Sequence, residues 1–231
     1  MSVFVLVHSP LVGPSTWHWV AEELRNCGHT VTVAAVPQAV TRQGWQAFAD
    51  CVAAQASHAS QCVLVGHSGA GPLLPQIAQR ARCTTDAMVF VDAGLPPDSG
   101  AAELVPAAML ADLQALAVDG ILPPWSQWWE PDVMAELIPD ADRRTIVTSE
   151  LPRLPVSYFE DQVPVPASWS ATRSGYVLLS EAYAADAARA AGRGWPVVSE
   201  RGAHLDLVTR PAEIATAILT VTQAATDCKP C

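Results

Sequence analysis

One short stretch constrains this chain more than any other, because it joins an apolar strand to a tight turn. Residues 63–71 read VLVGHSGAG. The apolar run stops at Gly66, and the segment from Gly66 to Ala70 nearly matches the pattern G-x-S-x-G, with Ser68 at its centre and alanine in the last place. In that pattern the serine lies on a strained strand-to-helix turn that exposes its hydroxyl at the end of a sheet. Small neighbours are needed because the backbone folds back so sharply.

The same stretch is compatible with two simpler structures. A glycine-rich turn after a strand can bind phosphate through its backbone N–H groups, and other turns of this kind only connect a strand to the next helix. The stretch by itself therefore makes Ser68 a candidate nucleophile and leaves both alternatives open.

Strand and helix patterns alternate through the first 92 residues. Residues 3–7 are continuously apolar, as expected of a strand buried on both faces of a parallel sheet. Further strands are predicted at 30–36, 62–66, 87–91, 175–179 and 195–199, and helices at 15–27 with Ser15 as N-cap, 41–57, from the Ser68 turn to 82, 183–191 and 211–222. This order predicts an α/β fold with a mostly parallel central sheet and helices on both faces, in a single domain spanning residues 1–231.

The alternation is interrupted by a long insertion at residues 96–174. It is rich in proline, and short helices are predicted within it at 107–118, 131–137 and 140–150. It also carries a group of aromatic residues, namely Trp125, Trp128, Trp129, Tyr158, Phe159 and Trp169. An insertion of this length in a regular fold is commonly a cap over a binding site, which is the interpretation we favour; ordinary core packing of the aromatic rings is the alternative.

The charge balance limits the expected partners. The formal net charge is −10, and nucleic acid is not expected as a partner because phosphate binding needs clustered Lys and Arg. No apolar run approaches the ~20 residues that span a bilayer, so no membrane span is expected. The N-terminus has no basic segment before its apolar run, which predicts no signal peptide and a cytoplasmic location. A small-molecule substrate is the expected partner.

Cysteine usage gives no sign of a metal or redox site. Four of the six cysteines fall in apolar helix or strand segments, where buried free thiols are expected, and these are Cys27, Cys51, Cys62 and Cys83. The segment from Cys228 to Cys231 reads C-x-x-C, but it ends the chain with no second pair or nearby histidine. A frayed tail is therefore favoured over a metal or redox role, and no metal or cofactor is expected.

Several further segments accompany the Ser68 turn. The first strand and the residue after it read FVLVH at 4–8, Trp17 follows, GHTV stands at 28–31, and RGAHLDL stands at 201–207 after the last predicted strand. Together with the turn and the insertion, they resemble the α/β-hydrolase superfamily, and within it the small-esterase and hydroxynitrile-lyase branch. The resemblance covers nearly the whole chain except the insertion. It implies the same fold, with Ser68 as nucleophile and the chain order Ser, acid, His.

The resemblance assigns the general base to His204. A serine hydroxyl is a poor nucleophile at neutral pH and needs an adjacent base. His204 is the histidine in the loop after the last predicted strand. The other histidines are interpreted as exposed, capping, loop-shaping, pocket-lining or space-filling residues, namely His8, His18, His29, His58 and His67.

Two carboxylates are candidates for the acid that orients the His204 ring. Asp92 ends the strand after the nucleophile helix, a position that resembles the acid of haloalkane-dehalogenase-like members. Glu181 follows the next strand, nearer the more usual acid position, but it enters a helix at once and has little loop to direct its carboxylate. The simpler interpretations are a turn residue for Asp92 and a first-turn helix charge for Glu181. We favour Asp92 as the acid.

The loop expected to bind an oxyanion departs from the resemblance. The Gly69 N–H is the expected first donor. The second should come from the loop after the first strand, where relatives begin His-Gly but this chain has Ser9 and Pro10, and proline has no N–H. Leu11 or Val12 is then expected to donate, or Ser9 acts on the substrate directly, as the polar residue there does in the lyase relatives.

Three hypotheses of function follow from these residues. The leading one is a serine hydrolase that cleaves an ester, thioester or lactone of a small, largely apolar molecule, with Trp128 and other insertion tryptophans packing against it. A lyase, eliminase or cyclase of secondary metabolism is the first alternative, suggested by Ser9 and Pro10. The second is a non-catalytic ligand-binding protein on the same fold.

Overall fold

The central element of the molecule is a parallel sheet. The computed structural model describes residues 2–129 and 133–227. Its strands are β1 Val3–Val7, β2 Thr30–Ala34, β3 Gln61–His67, β4 Thr84–Val91, β5 Ala101–Glu103, β6 Gln162–Pro164, β7 Ser174–Leu178 and β8 Val197–Ser199. Six of them form one sheet in the order β2-β1-β3-β4-β7-β8, in which every neighbouring pair is parallel. The predicted parallel sheet is therefore confirmed.

Helices cover both faces of this sheet, as predicted. The α-helices are α1 His18–Asn26, α2 Gln38–Thr41, α3 Trp45–Ala56, α4 Leu74–Arg80, α5 Ala107–Leu116, α6 Met134–Leu137, α7 Ala141–Ser149, α8 Ala184–Gly192, α9 Asp206–Thr209 and α10 Pro211–Asp227. Val5 and Val7 of β1 pack on the side of α3 and α4, whereas Phe4 and Leu6 pack on the side of α1 and α10. Because alternate side chains of a strand point to opposite faces, two covered faces require the continuous apolar run of β1.

The predicted N-cap at Ser15 is wrong. Residues Pro14–Trp17 form a 3-10 helix, and α1 begins only at His18, without a side-chain cap. An N-cap residue needs extended backbone, but Ser15 already lies inside a helical turn that begins at Pro14. Its backbone N–H instead donates to Glu150 Oε2 at 2.9 Å, which ties this loop to the end of α7.

The insertion at residues 96–174 contains helices and one small sheet of its own. The predicted helices at 107–118 and 140–150 correspond to α5 and α7, and α6 covers the end of the one predicted at 131–137, whose first residues, 131 and 132, lie outside the described residues. Strands β5 and β6 pair in an antiparallel ladder with Ala101 opposite Pro164. This ladder joins the two ends of the insertion; three residues are too few for a strand periodicity to be recognised in the sequence.

The aromatic group of the insertion divides into two sets. Tyr158, Phe159 and Trp169 are buried in the core, where ordinary packing explains them. The Trp169 ring lies 6.4 Å from that of Phe90 in β4 and 5.9 Å from that of Trp195. The other set is exposed or half-buried and consists of Trp125, Trp128 and Trp129.

The cysteines only partly follow the expectation of burial. Cys62 in β3 and Cys83 just before β4 are buried free thiols, and their Sγ atoms lie 3.0 Å apart. Cys27 is exposed at the end of α1, whereas Cys51 in α3 is half-buried and packs against the core, with its Sγ 3.9 Å from the Ala35 carbonyl oxygen. The C-x-x-C segment of the tail lies outside the described residues.

A buried hydroxyl in the insertion gives a stability prediction. The Tyr158 hydroxyl is buried and has no hydrogen-bond partner among the described residues. An unpaired buried polar group costs about 1–3 kcal/mol, so we expect Tyr158→Phe to raise the free energy of unfolding by about 1 kcal/mol. Urea unfolding followed by fluorescence measures this change. A lower midpoint in the variant would mean that the hydroxyl has a stabilising partner.

Candidate active site

Three predicted site residues, together with Tyr183, which was not predicted, lie at the carboxyl ends of four adjacent strands. Ser68 follows β3, Asp92 follows β4, Tyr183 lies beyond β7, and His204 lies beyond β8. These strands are neighbours in the order β3-β4-β7-β8. In open parallel sheets, ligands bind in the crevice outside the carboxyl ends of the strands, so this edge is the expected place for a site.

The turn at Ser68 has the strained geometry that its motif predicts. Ser68 has a φ of 56°, in the left-handed region. It follows the extended His67 and is the first residue of the 3-10 helix Ser68–Leu73. A residue other than glycine held there costs about 1–3 kcal/mol and persists only where the surroundings fix it. The surroundings are tight, because a side chain on Gly71 would lie 2.2 Å from the carbonyl oxygen of Gly94.

His204 and Asp92 form a close pair. The His204 Nδ1 lies 2.7 Å from Asp92 Oδ2, and the Asp92 side chain is completely buried. Asp92 Oδ1 accepts hydrogen bonds from the N–H groups of Leu179 and Ser180, both at 2.9 Å, and Oδ2 accepts one from the Ser180 hydroxyl at 2.5 Å. An ionised carboxylate only accepts, so the imidazole carries its proton on Nδ1 and leaves the lone pair of Nε2 free.

Asp92 is held as a charged carboxylate. Burial alone raises its pKa, but the hydrogen bond and charge of His204 and the hydrogen bonds from Ser180 outweigh burial and leave the pKa below its ordinary value. Its φ of 43° is also in the left-handed region, and this conformation directs the carboxylate back over the end of β7. The alternative acid, Glu181, is exposed at the start of the 3-10 helix Glu181–Tyr183, and it is Asp92 that contacts the His204 ring.

His67 contacts both the backbone and the ring of His204. Its Nε2 donates a hydrogen bond of 3.0 Å to the backbone carbonyl of His204, and the two rings lie 4.4 Å apart. Burial, and next the charge of His204, lower the pKa of His67 to about 3, so the ring stays neutral. The sequence suggested only a space-filling or pocket-lining residue here. His67 thus ties the loop that carries His204 to the end of β3.

This buried histidine gives a pH prediction. An unfolded chain takes up a proton on His67 near its ordinary pKa of 6.5, whereas the folded protein takes it up only near 3. The unfolded state therefore binds more protons between these values, and stability falls as pH is lowered through that window. We expect the loss of unfolding free energy from about pH 7.5 to about pH 4.5 to be smaller in His67→Gln than in the wild type, as measured by urea unfolding at both pH values. Equal losses would contradict a neutral buried ring.

Ser68 has an unexpected partner in Tyr183. A hydrogen bond of 3.2 Å joins Ser68 Oγ to the Tyr183 hydroxyl, and the Tyr183 ring stacks on the His204 imidazole at 5.2 Å and an angle of 12°. Burial raises the pKa of Tyr183 to about 12, although its hydrogen bond with Ser68 opposes the shift. The sequence placed Tyr183 only at the start of a helix, and nothing in its surroundings resembles a motif.

The loop after β1 differs from the expectation for an oxyanion site. The N–H of Leu11 donates to Ser9 Oγ at 3.3 Å, and the N–H of Val12 donates to the Ser9 carbonyl at 3.1 Å, so both expected donors bond within the loop. Two features favour this tight turn onto Ser9. Pro10 has no N–H to donate, and His8 Nδ1 lies 2.8 Å from the Ser9 carbonyl oxygen. Ser9 is buried, and a side chain on Gly69 would lie 3.1 Å from Ser9 Oγ, which puts this hydroxyl beside the Ser68 turn.

The tryptophan beside the candidate site is Trp125 rather than Trp128. The Trp125 ring lies 6.4 Å from the His204 ring and 5.0 Å from that of Trp129. Trp128 is set back, with its indole N–H bonded to the Pro123 carbonyl and its ring 6.4 Å from that of Phe159. The spacing of three tryptophans within five residues could not show which one faces the sheet, because the segment Trp125–Gln127 is a 3-10 turn with no regular periodicity.

The described residues also bear on metal binding and on membrane insertion. In the part of the chain that the structure describes, no three His, Cys, Asp or Glu side chains group together as metal ligands would. Across residues 2–129 and 133–227, every helix is too short or too polar to span a bilayer.

Comparison with known proteins identifies the fold. No protein-family model matches the chain, and neither does any curated protein sequence. Solved structures do match. An extracellular α/β-hydrolase from a Paenibacillus species, described as sharing structural and functional homology with tobacco salicylic acid binding protein 2, is 19% identical with a TM-score of 0.77, covering 96% of this chain and 99% of its own.

Two plant proteins have similar structures. Tomato methylketone synthase I, solved with 2-tridecanone, is 14% identical with a TM-score of 0.76 and covers 97% of this chain and 98% of its own. A methylesterase from Arabidopsis is 13% identical with a TM-score of 0.71 and covers 97% of this chain and 100% of its own. Such low identities speak for the fold and not for the reaction. The parallel sheet and these similarities together show that the chain has the α/β-hydrolase fold.

Proposed function

We propose that this protein is a serine hydrolase that cleaves an ester, thioester or lactone of a small, largely apolar molecule. The observation that carries the proposal is the cluster at the strand ends, where the strained Ser68 and the His204 ring both contact Tyr183, and where the His204 ring is paired with a buried carboxylate at 2.7 Å. A buried charge is tolerated only where it is paired and hydrogen-bonded, and Asp92 receives four hydrogen bonds, one of them from His204. A carboxylate held in this way is suited to orient a catalytic imidazole.

Ser68 attacks the carbonyl carbon of the substrate and passes its proton to His204 Nε2. Asp92 keeps the tautomer that leaves Nε2 free, and it stabilises the imidazolium once the proton has arrived. In the free protein Ser68 Oγ bonds to Tyr183, so substrate binding must turn the hydroxyl toward the imidazole. Such catalytic hydrogen bonds commonly tighten only when substrate is bound. The acyl group on Ser68 is then released by water, with His204 as the base.

Two groups are suited to hold the negative oxygen that forms during the attack. The Gly69 N–H belongs to the first turn of the 3-10 helix Ser68–Leu73, where N–H groups have no partner within the helix. The Ser9 hydroxyl accepts from the Leu11 N–H, so its own proton is available for donation. We assign the second donor to this hydroxyl, since the Leu11 and Val12 amides are engaged within the loop.

The substrate is expected to be small and largely apolar. Trp125 borders His204 and packs on Trp129, so the insertion presents aromatic surface beside the reacting groups. The Paenibacillus hydrolase and the Arabidopsis methylesterase have the same fold, which is consistent with ester cleavage. We propose that the insertion at 96–174 acts as a cap over this end of the sheet.

Turnover and covalent labelling test the proposal together. The purified protein is expected to hydrolyse p-nitrophenyl butyrate and to react with a fluorophosphonate probe, with the modified peptide identified by mass spectrometry as the one that contains Ser68. Phosphonylation requires an activated serine, so labelling elsewhere, or none, would contradict the assignment of the nucleophile.

A lyase, eliminase or cyclase is the second candidate. It is favoured by the loop after β1, whose Leu11 and Val12 amides do not face outward, because a reaction without a tetrahedral oxyanion needs fewer such donors. Labelling of Ser68 by the fluorophosphonate without hydrolysis of any ester tested would support this class instead of the hydrolase.

A further inference from the structure

We propose that Tyr183 is a catalytic residue whose hydroxyl donates a hydrogen bond to the leaving-group oxygen of the substrate. The role rests on the proposed hydrolase function, and it deepens that function by naming the substrates that depend on it, which are esters of unactivated alcohols. The observation behind it is the position of a second hydroxyl 3.2 Å from the nucleophilic oxygen.

Tyr183 is fixed in place by contacts on both sides. Its ring lies parallel to the His204 imidazole at 5.2 Å, so its hydroxyl is on the imidazole side of Ser68. Its short helix follows directly on Ser180, whose N–H and hydroxyl are both bonded to Asp92. The carboxylate that orients His204 thus also anchors the segment that carries Tyr183.

The hydroxyl remains protonated during the reaction. Burial holds the pKa of Tyr183 at about 12, so at neutral pH it is a phenol and a hydrogen-bond donor. While no substrate is bound, Ser68 Oγ is its partner. A leaving-group oxygen that takes this place would release Ser68 for proton transfer to His204.

Tyr183 donates a hydrogen bond and keeps its proton while Ser68 is acylated. The Ser68 oxygen forms a bond to the carbonyl carbon, its proton moves to His204 Nε2, and the carbonyl electron pair moves onto oxygen. When the carbonyl re-forms, the bond to the alcohol oxygen breaks with its electron pair, and the proton on His204 moves to that oxygen. The leaving oxygen receives this proton from His204, on the imidazole side of Ser68. The Tyr183 hydroxyl lies on the same side, so it can donate a hydrogen bond to the leaving oxygen while negative charge develops there.

The size of the effect depends on the leaving group. An alkoxide is strongly basic and gains much from a donor, whereas p-nitrophenolate spreads its charge over its ring and gains little. A hydrogen bond to a charged group is worth about 1.5–3 kcal/mol, which corresponds to about 10- to 100-fold in rate. The expected signature of Tyr183 is therefore a leaving-group dependence and not a uniform loss.

The experiment compares ethyl butyrate with p-nitrophenyl butyrate, which share the acyl group. Tyr183→Phe keeps the ring stacked on His204 and removes only the hydroxyl. We expect it to lower kcat/KM for ethyl butyrate at least about tenfold more than for p-nitrophenyl butyrate. Tyr158→Phe is the matched control, since it removes a buried hydroxyl that has no hydrogen-bond partner among the described residues, and it should preserve the wild-type ratio of the two rates.

The outcomes separate this role from the proposed function. Hydrolysis of both esters with an unchanged ratio in Tyr183→Phe, whether both rates fall equally or neither falls, overturns the leaving-group role alone. A wild-type protein that hydrolyses neither ester overturns the hydrolase and the role of Tyr183 together. A selective loss on ethyl butyrate, with circular dichroism like that of the wild type, supports both.

Discussion

Replacing Ser68 with alanine is expected to lower kcat for p-nitrophenyl butyrate by about a millionfold, the scale seen when the nucleophile of a serine hydrolase is removed. Alanine keeps the Cβ atom, so the strained φ of 56° and the packing of the turn are retained. The loss would then report on the missing oxygen and not on the fold. The residual rate would come from the Gly69 and Ser9 donors and from binding alone.

The control for Ser68→Ala is Ser15→Ala. The Ser15 hydroxyl is also buried, and it has no partner among the described residues. It lies in the 3-10 helix Pro14–Trp17, and we expect its variant to hydrolyse the ester at close to the wild-type rate. Steady-state kinetics with both variants, alongside circular dichroism, make the comparison. A Ser68→Ala protein within about tenfold of wild type would exclude Ser68 as the nucleophile.

Asp92→Asn is expected to lower kcat by about ten-thousandfold. The amide oxygen would face the N–H groups of Leu179 and Ser180, which leaves the NH2 group toward His204 Nδ1. An NH2 group donates, so it favours the tautomer whose proton is on Nε2, and that nitrogen can no longer accept the proton of Ser68. The imidazole would remain in place but could not act as a base.

Glu181→Gln tests the competing assignment of the acid. Glu181 is exposed and one residue beyond Ser180, so neutralising it should change the rate by less than about twofold. Kinetics of the two amide variants at the same pH distinguish the carboxylates. A large loss in Glu181→Gln with a small one in Asp92→Asn would show that His204 changes partner when substrate binds.

The regular part of the fold could be predicted from the sequence because its signals are local. A strand buried on both faces must be apolar throughout, and β1 and β3 are recognisable for that reason. The turn at Ser68 was equally recognisable, since a left-handed serine between a strand and a helix needs the small residues that surround it. In contrast, the three-residue strands β5 and β6 are too short to show any period.

Other features of the site are decided by distant contacts. Leu11 or Val12 is expected from the sequence to donate to an oxyanion, but both N–H groups close a turn onto Ser9. Trp128 was expected at the substrate, but the 3-10 turn of that segment presents Trp125 to His204. Such choices depend on the path of a loop, which local propensity does not determine.

The sequence by itself determined the alternation of strands and helices and the position of Ser68 at the end of a strand, because both depend on neighbouring residues. Only the tertiary structure decided which carboxylate pairs with His204 and which hydroxyl reaches Ser68. The strand order β3-β4-β7-β8 brings Asp92 and Tyr183 to the site. It places the ends of distant strands side by side, so that Asp92 and His204 are in contact although they are 112 residues apart in the chain. Contacts across that separation are fixed by the packing of the whole sheet, and no short segment contains them.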